Sequence, residues 1–213
     1  GDTLNATDLS TLGGKTAATA TVSNAVVISG TQAQVTAALV TNETKVTAAN
    51  ALVTVSDNAG VNLNAEDLSA IGGATGGTVT VTNAVNIQGT QAQVTAALVT
   101  EDTKVTASTA TVQLDDGETP SITQLNNIAA AAGVVTASLA ANSLSNLGAL
   151  TTASTDQITI TVNDDAATNV NAEDLSALGG KTAATVTVSN AVNIQGTTCL
   201  LYTSPSPRDE KVS

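Results

Sequence analysis

Histidine, methionine, phenylalanine and tryptophan are absent from this chain, and cysteine, tyrosine and arginine occur once each. Without histidine, and with no cysteine before Cys199, the commonest general bases, thiol nucleophiles and zinc ligands are missing. Only Ser, Thr, Asp, Glu and Lys remain for chemistry, and the chain reads as a protein that is not an enzyme. The lack of Phe and Trp leaves a core of Val, Leu, Ile and Ala, each burying less than the ~150–250 Å² of an aromatic side chain. Cations are scarce as well: six Lys and Arg stand against 18 acids, for a net charge of −12. Nucleic-acid binding requires clustered Lys and Arg that displace counterions from phosphates, whereas Lys15, Lys45, Lys104 and Lys181 are isolated from one another. Contact with anionic membranes is disfavoured for the same reason. No apolar run approaches the roughly 20 residues needed to span a bilayer, so membrane insertion is not expected. Disorder is opposed by 42% hydrophobic residues and a charged fraction of 11%.

What the chain does have is repetition. Residues 30–41, Gly-Thr-Gln-Ala-Gln-Val-Thr-Ala-Ala-Leu-Val-Thr, recur unchanged at 89–100, and Asp8 and Asp67 sit at the same 59-residue interval in matching contexts. A further partial copy follows, with Asn64 to Ala70 recurring as Asn171 to Ala177 and Ala84 to Thr90 as Ala191 to Thr197. The units run at about 1–59 and 60–118, then a divergent 119–166 and a partial 167–197. Repeats of this kind stack units that cannot bury an apolar face alone. After Thr197 the pattern breaks, and Cys199, Tyr202, Arg208, Pro205 and Pro207 crowd into one stretch. Residues 199–209 resemble one reading frame of a transposase-type sequencing adapter. We therefore expect 198–213 to be a non-native tail on a fragment. Removing 199–213 takes away two cations and two acids and leaves the charge at −12.

Within the second unit, residues 64–73 predict a short helix, with Asn64 as N-cap, Glu66 and Asp67 in the first turn, and Gly72 and Gly73 as terminators. Leu68 and Ile71 share one face. Strict alternation over 78–83 predicts a strand with Val79 and Val81 inward and Thr78, Thr80 and Thr82 outward. Thr90 is placed to cap a helix over 91–99 whose Val94, Ala97 and Leu98 lie together, and a strand over 105–114 follows. The divergent unit repeats the theme, with helices at 122–132 and 144–150 and strands at 134–139 and 157–162. Each 59-residue unit thus holds two helix–strand halves of about 30 residues, and strands separated by helices run parallel. About seven strands result. The expected fold class is α/β, a repeat solenoid with one parallel β-sheet backed by short helices. The alternative is an all-β solenoid in which the weak Thr-rich helices are turns.

The helix Ala172 to Leu178, the strand Thr185 to Val188 and the cap pair Gly196-Thr197, with their upstream copies, resemble repeat modules of giant surface or secreted adhesin-like proteins of marine bacteria. That resemblance implies an extracellular or cell-surface location and a structural or adhesive role, often beside calcium-binding repeats. The partners it implies are neighbouring repeats of the same chain and cell-surface or matrix components. This chain departs by lacking a Gly-Gly-x-Gly-x-Asp nonapeptide, since Gly72-Gly73-Ala74-Thr75-Gly76-Gly77 carries no acid at the required place.

Calcium is the one cofactor that the residues suit. Asp57 and Asn58, Asp115 and Asp116, and Asp164 and Asp165 form a series at strand ends, and oxygen-only ligands favour calcium over a transition metal. A calcium-dependent extracellular binding module is therefore the alternative function, against a competing reading of these acids as solvated turns. Glu66, Asp67, Glu173 and Asp174 read as helix N-terminal charges. Asn24, Asn83 and Asn190, equivalent positions after the alternating strand, are expected to stack and bond backbone amides left open where the chain turns. The hydroxyls of Thr78, Thr80 and Thr82 and their copies carry a second alternative, an ice-binding Thr array. Ala48, Ala49 and Asn50, or Ala107, Ser108 and Thr109, are expected to interrupt that array.

Overall fold

The computed structural model describes residues 2–103 and 105–197. Lys104 and the expected non-native tail at 198–213, with Cys199, lie outside the described residues. The first unit runs β1 (Thr3–Asn5), α1 (Ala6–Gly13), β2 (Val27–Gly30), α2 (Gln32–Leu39) and β3 (Leu52–Val55). The second runs β4 (Asn62–Asn64), α3 (Ala65–Ala74), β5 (Val79–Val81), β6 (Asn86–Gly89), α4 (Gln91–Leu98), a 3-10 turn (Glu101–Thr103) and β7 (Val105–Leu114). The divergent unit holds α5 (Ile122–Ala131), β8 (Ala132–Ser138), α6 (Leu144–Leu147) and β9 (Gln157–Val162). The partial copy closes with β10 (Asn169–Asn171), α7 (Ala172–Gly179), β11 (Val186–Val188) and β12 (Asn193–Gln195).

Helices this short are marginal in isolation, and their ends are secured locally. Asn5, Asn64 and Asn171 each accept from the N–H two residues on, at 2.8, 2.8 and 2.9 Å. Thr31, Thr90 and Ser121 each form a capping box with a glutamine three residues later, which satisfies two orphan N–H groups at once. The segments are thus helices and not turns, and the chain is α/β.

Every strand pairing among the described residues is parallel, as strands joined through helices must be. Eight strands follow one another across the main path, β1-β2-β3-β5-β7-β8-β9-β11, with β4 and β6 completing a ten-stranded open sheet. β10 and β12 form a separate pair, so the strands exceed the expected seven and the single sheet. The additional strands are three- and four-residue segments such as Asn62-Leu63-Asn64 and Asn193-Ile194-Gln195.

Register explains how a unit is laid down. Ile28, Val53, Val79 and Val105 are successive partners, in steps of 25, 26 and 26 residues. The expected half-unit of about 30 is therefore longer than one circuit. The surplus carries the chain along the strand direction, so that β3 and β4 lie end to end against β5 and β6, and β7 is long enough to meet β5 with its first half and β6 with its second. A second row, Leu63, Ile87, Val112 and Val135, continues where the first leaves off.

These rows are the core. Val79 and Val81 are buried, Thr80 is half-buried, and Thr78 and Thr82 are exposed, in keeping with alternation across a sheet with one buried face. Leu68 and Ile71 are buried as expected, and one aliphatic cluster extends from Ala6 to Leu178. Gly72 and Gly73 do not terminate α3, which continues to Ala74. Gly72 instead permits close approach: a methyl there would overlap the Thr103 carbonyl, as one on Gly13 would overlap that of Thr44. At the same repeat position in α7, Gly179 has nothing within 4 Å.

Gly72→Ala is accordingly expected to lower the unfolding free energy by about 1–3 kcal/mol through that overlap. Gly179→Ala, with room for its methyl and a better helix former in place, should be neutral or raise it by up to about 1 kcal/mol. Chemical denaturation of the two variants checks the pair; equal losses would remove close packing as the reason for Gly72.

Candidate functional site

The strand-end acids were the leading metal candidates, and the structure assigns two of them a backbone partner. Asp57 follows β3, and its Oδ2 accepts at 2.7 Å from the N–H of Gln32, the first residue of α2. Asp164 follows β9, and its Oδ2 accepts at 2.7 Å from the N–H of Leu144, the first residue of α6. The first N–H groups of a helix have no partner within it and carry the positive end of its dipole. A carboxylate from the next pass of the chain thus completes what Thr31 and Ser143 begin as N-caps. Each acid also grips forward. Asn83 Nδ2 donates to the Asp57 carbonyl at 2.6 Å and Asn190 Nδ2 to the Asp164 carbonyl at 2.8 Å. These asparagines therefore bond carbonyls and not open amides, while Asn24 is exposed at the equivalent place.

The middle copy departs from the pattern. Asp116 stands where Asp57 stands in the first unit, yet the N–H of Gln91 at the start of α4 is taken by Glu118 Oε2 at 3.0 Å. Asp115, Asp116, Asn58 and Asp165 are exposed on their turns. Among the described residues, no three His, Cys, Asp or Glu side chains gather where they could share a metal ion. Glu66 and Asp67, and Glu173 and Asp174, lie in the first turns of α3 and α7 as expected, and Glu66 Oε2 also accepts from Gln93 Nε2 of α4 at 2.9 Å.

Polar side chains buried inside the fold escaped sequence reasoning, Asp156 and Gln32 among them. Asp156 is buried, and its carboxylate accepts from the N–H groups of Val135 at 2.8 Å and Ala153 at 2.7 Å. Gln32 is also buried; its Nε2 donates to the Asn64 carbonyl at 2.7 Å and its Oε1 accepts from the Asn64 N–H at 3.1 Å, closing the free edge of β4. Each contact replaces a backbone pairing with a side chain, and nothing local in the sequence announces it.

The outward sheet face carries two kinds of row. Ser29, Thr54, Thr80 and Thr106 are register partners on β2, β3, β5 and β7, so the hydroxyl row continues through the intervening halves. The expected interruption by Ala48, Ala49 and Asn50, or by Ala107, Ser108 and Thr109, is corrected, because circuits of 25 and 26 residues bring Thr54 and Thr106 beside Thr80. Beyond the ends of these strands lies an amide row: Asn86 Nδ2 donates to Asn62 Oδ1 and Gln88 Nε2 to Gln113 Oε1, both at 3.2 Å. An open cleft of about 470 Å³ borders it, lined by Asn62, Asn64, Gln88, Gln93 and Asp115. The alternation of amide and aliphatic residues in Asn86-Ile87-Gln88 was the available signal for this row.

No helix among the described residues is long and apolar enough to cross a membrane. Compared with family models, curated proteins and solved structures, the chain matches none.

If the strand-end acids serve as helix caps, Asp57→Ala should reduce stability by about 1 kcal/mol, and Asp115→Ala should fall within about 0.5 kcal/mol of the parent. Thermal melting in millimolar calcium, in magnesium and in chelator is expected to coincide, since a ligand held only by the native state would raise the melting temperature with concentration. A rise specific to calcium would restore the turns as a metal site.

Proposed function

We propose that this chain is an α/β solenoid segment of a large exported bacterial protein, with a structural and adhesive role at the cell surface and no catalysis. The observation that carries the reading is the continuity of its core: one aliphatic cluster threads successive passes of the chain, and Asp57 and Asp164 each tie three passes together. An assembly of that kind transmits load from unit to unit and lengthens by adding copies. The absence of histidine from the sequence and the use of Asp57, Glu118, Asp156 and Asp164 as acceptors for backbone N–H groups support a non-catalytic role. The exported location rests on the resemblance to adhesin-like repeats. Calcium-dependent binding has less support, because two of the acids it would recruit are occupied by helix amides.

A second reading, ice binding, is favoured by the unbroken hydroxyl row Ser29-Thr54-Thr80-Thr106. On β2 and β3, however, Val27 and Leu52 stand beside that row in register.

In a stacked architecture, stability grows with the number of units because each adds an interface. Proteins carrying one, two and three copies of the 60–118 unit are therefore expected to show denaturation midpoints that rise with copy number. A single unit as stable as the three-copy protein would refute the stacking. Beads coated with the chain should be retained on films of cell-surface or matrix polysaccharide above albumin-coated beads, and equal retention would reduce the role to that of a spacer.

A further inference from the structure

The turn after β7 differs from its copies in both sequence and bonding. Asp57 and Asp164 each hold a helix N–H with a carboxylate oxygen. Asp116, at the same repeat position, is exposed, and Glu118 has taken its role, so among the described residues its carboxylate has no hydrogen-bond partner. It precedes Gly117 in the only Asp-Gly pair of the chain, which has no Asn-Gly pair. The turn requires that glycine: Gly117 is its third residue and sits at φ +87°. Two anchors frame the pair. The Asp115 N–H donates to the Gly89 carbonyl at 3.0 Å, and the Glu118 N–H donates to the Asp115 carbonyl at 3.2 Å while its Oε2 holds the Gln91 N–H at 3.0 Å. Between them, Gly117 has no atom within 4 Å of where a Cβ would stand, and among the described residues its N–H has no acceptor.

We propose that Asp116-Gly117 is a site of spontaneous backbone isomerisation, and that the product releases Glu118 from the N-terminus of α4. The Gly117 nitrogen attacks Asp116 Cγ; the N–Cγ bond forms, the bond from Cγ to one carboxylate oxygen breaks, and that oxygen leaves as water with the amide proton and one proton from solvent. A five-membered cyclic imide results. Water then adds at one of its two carbonyls and the proton returns to solvent. Addition at Cγ restores aspartate, whereas addition at the Asp116 backbone carbonyl breaks its bond to Gly117 and leaves the chain running through Cγ. Each route consumes the water released, so the isomer has the composition of the parent and needs no other co-reactant. Glycine offers the least hindered amide nitrogen for the attack. Asp57 and Asp164 are held by helix N–H groups and precede Asn58 and Asp165, and Asp165, though exposed, precedes Ala166, whose methyl crowds the approach. The isomer carries one more methylene in its backbone between Asp115 and Glu118. Both of these residues are anchored to the 89–91 segment, so the longer link moves Glu118 off the Gln91 N–H.

The test is prolonged incubation of the full chain at neutral pH in heavy-oxygen water, followed by peptide mapping with fragmentation that distinguishes isoaspartate from aspartate. Labelled oxygen and an isoaspartyl linkage are expected at Asp116, above the levels at Asp57, Asp164 and Asp165. Asp116→Glu, which would have to close a six-membered ring, should melt like the parent when fresh and stay unlabelled at that position. The isolated isomer is expected to melt about 2–4 °C below the parent, the loss of one helix-terminal contact in a chain of this size. Glu118→Ala lacks that contact from the start, so isomerisation should lower its melting by less. No label at Asp116, or label spread evenly over the strand-end acids, would overturn the site. An isomer that melts like the parent, or an equal fall in the parent and in Glu118→Ala, would overturn the release of Glu118.

Discussion

The structure depends on parallel pairing of short strands whose inward residues are aliphatic and stand in register. No single pass of the chain holds enough apolar surface to pay for its own ordering, because β1, β4, β5, β10, β11 and β12 are three residues long and the chain has no Phe or Trp to enlarge any one contact. Cohesion therefore lies between passes, in rows such as Ile28-Val53-Val79-Val105 and Leu63-Ile87-Val112-Val135. Cross-strand aliphatic pairs of this kind are the unit of sheet stability.

That dependence shapes the rest of the molecule. Helices must come close to keep the rows in register, and Gly13 and Gly72 let the backbones at Thr44 and Thr103 approach where a side chain would not fit. Threonine hydroxyls contribute at the same junctions, with Thr44 donating to the Ala37 carbonyl and Thr103 to that of Ala96. The acids are drawn into the same task. Asp57, Glu118 and Asp164 each reach back one pass to a helix N-terminus, where a negative charge meets unpaired N–H groups. A strongly acidic composition thus has a structural use at these turns.

The outward face follows from the inward one. Alternation that buries Val53, Val79 and Val105 places Thr54, Thr80 and Thr106 on the opposite side, and the same alternation beside Leu63, Ile87 and Val112 sets Asn62 beside Asn86 and Gln88 beside Gln113. Hydroxyl and amide rows therefore arise wherever the repeat is in register. A surface of this kind presents the same groups again and again along the sheet.

Sequence alone determined the repeat, the alternation of helix and strand, the caps at Asn64 and Thr90, and the inward faces of Val79 with Val81 and of Leu68 with Ile71. All of these are local: a cap acts within three residues, and periodicity of two or 3.6 is written in neighbouring side chains. Tertiary structure decided which passes lie side by side. A 59-residue repeat does not reveal circuits of 25 and 26 residues, and that difference places Thr54 and Thr106 beside Thr80 and sends the chain from β3 onward into β4. It also decided that Asp57 serves Gln32, that Glu118 takes the place of Asp116, and that Gln32 seals the edge at Asn64. Those contacts span 25, 27 and 32 residues, and they form only once the aliphatic rows have set the register that brings their partners within hydrogen-bonding distance.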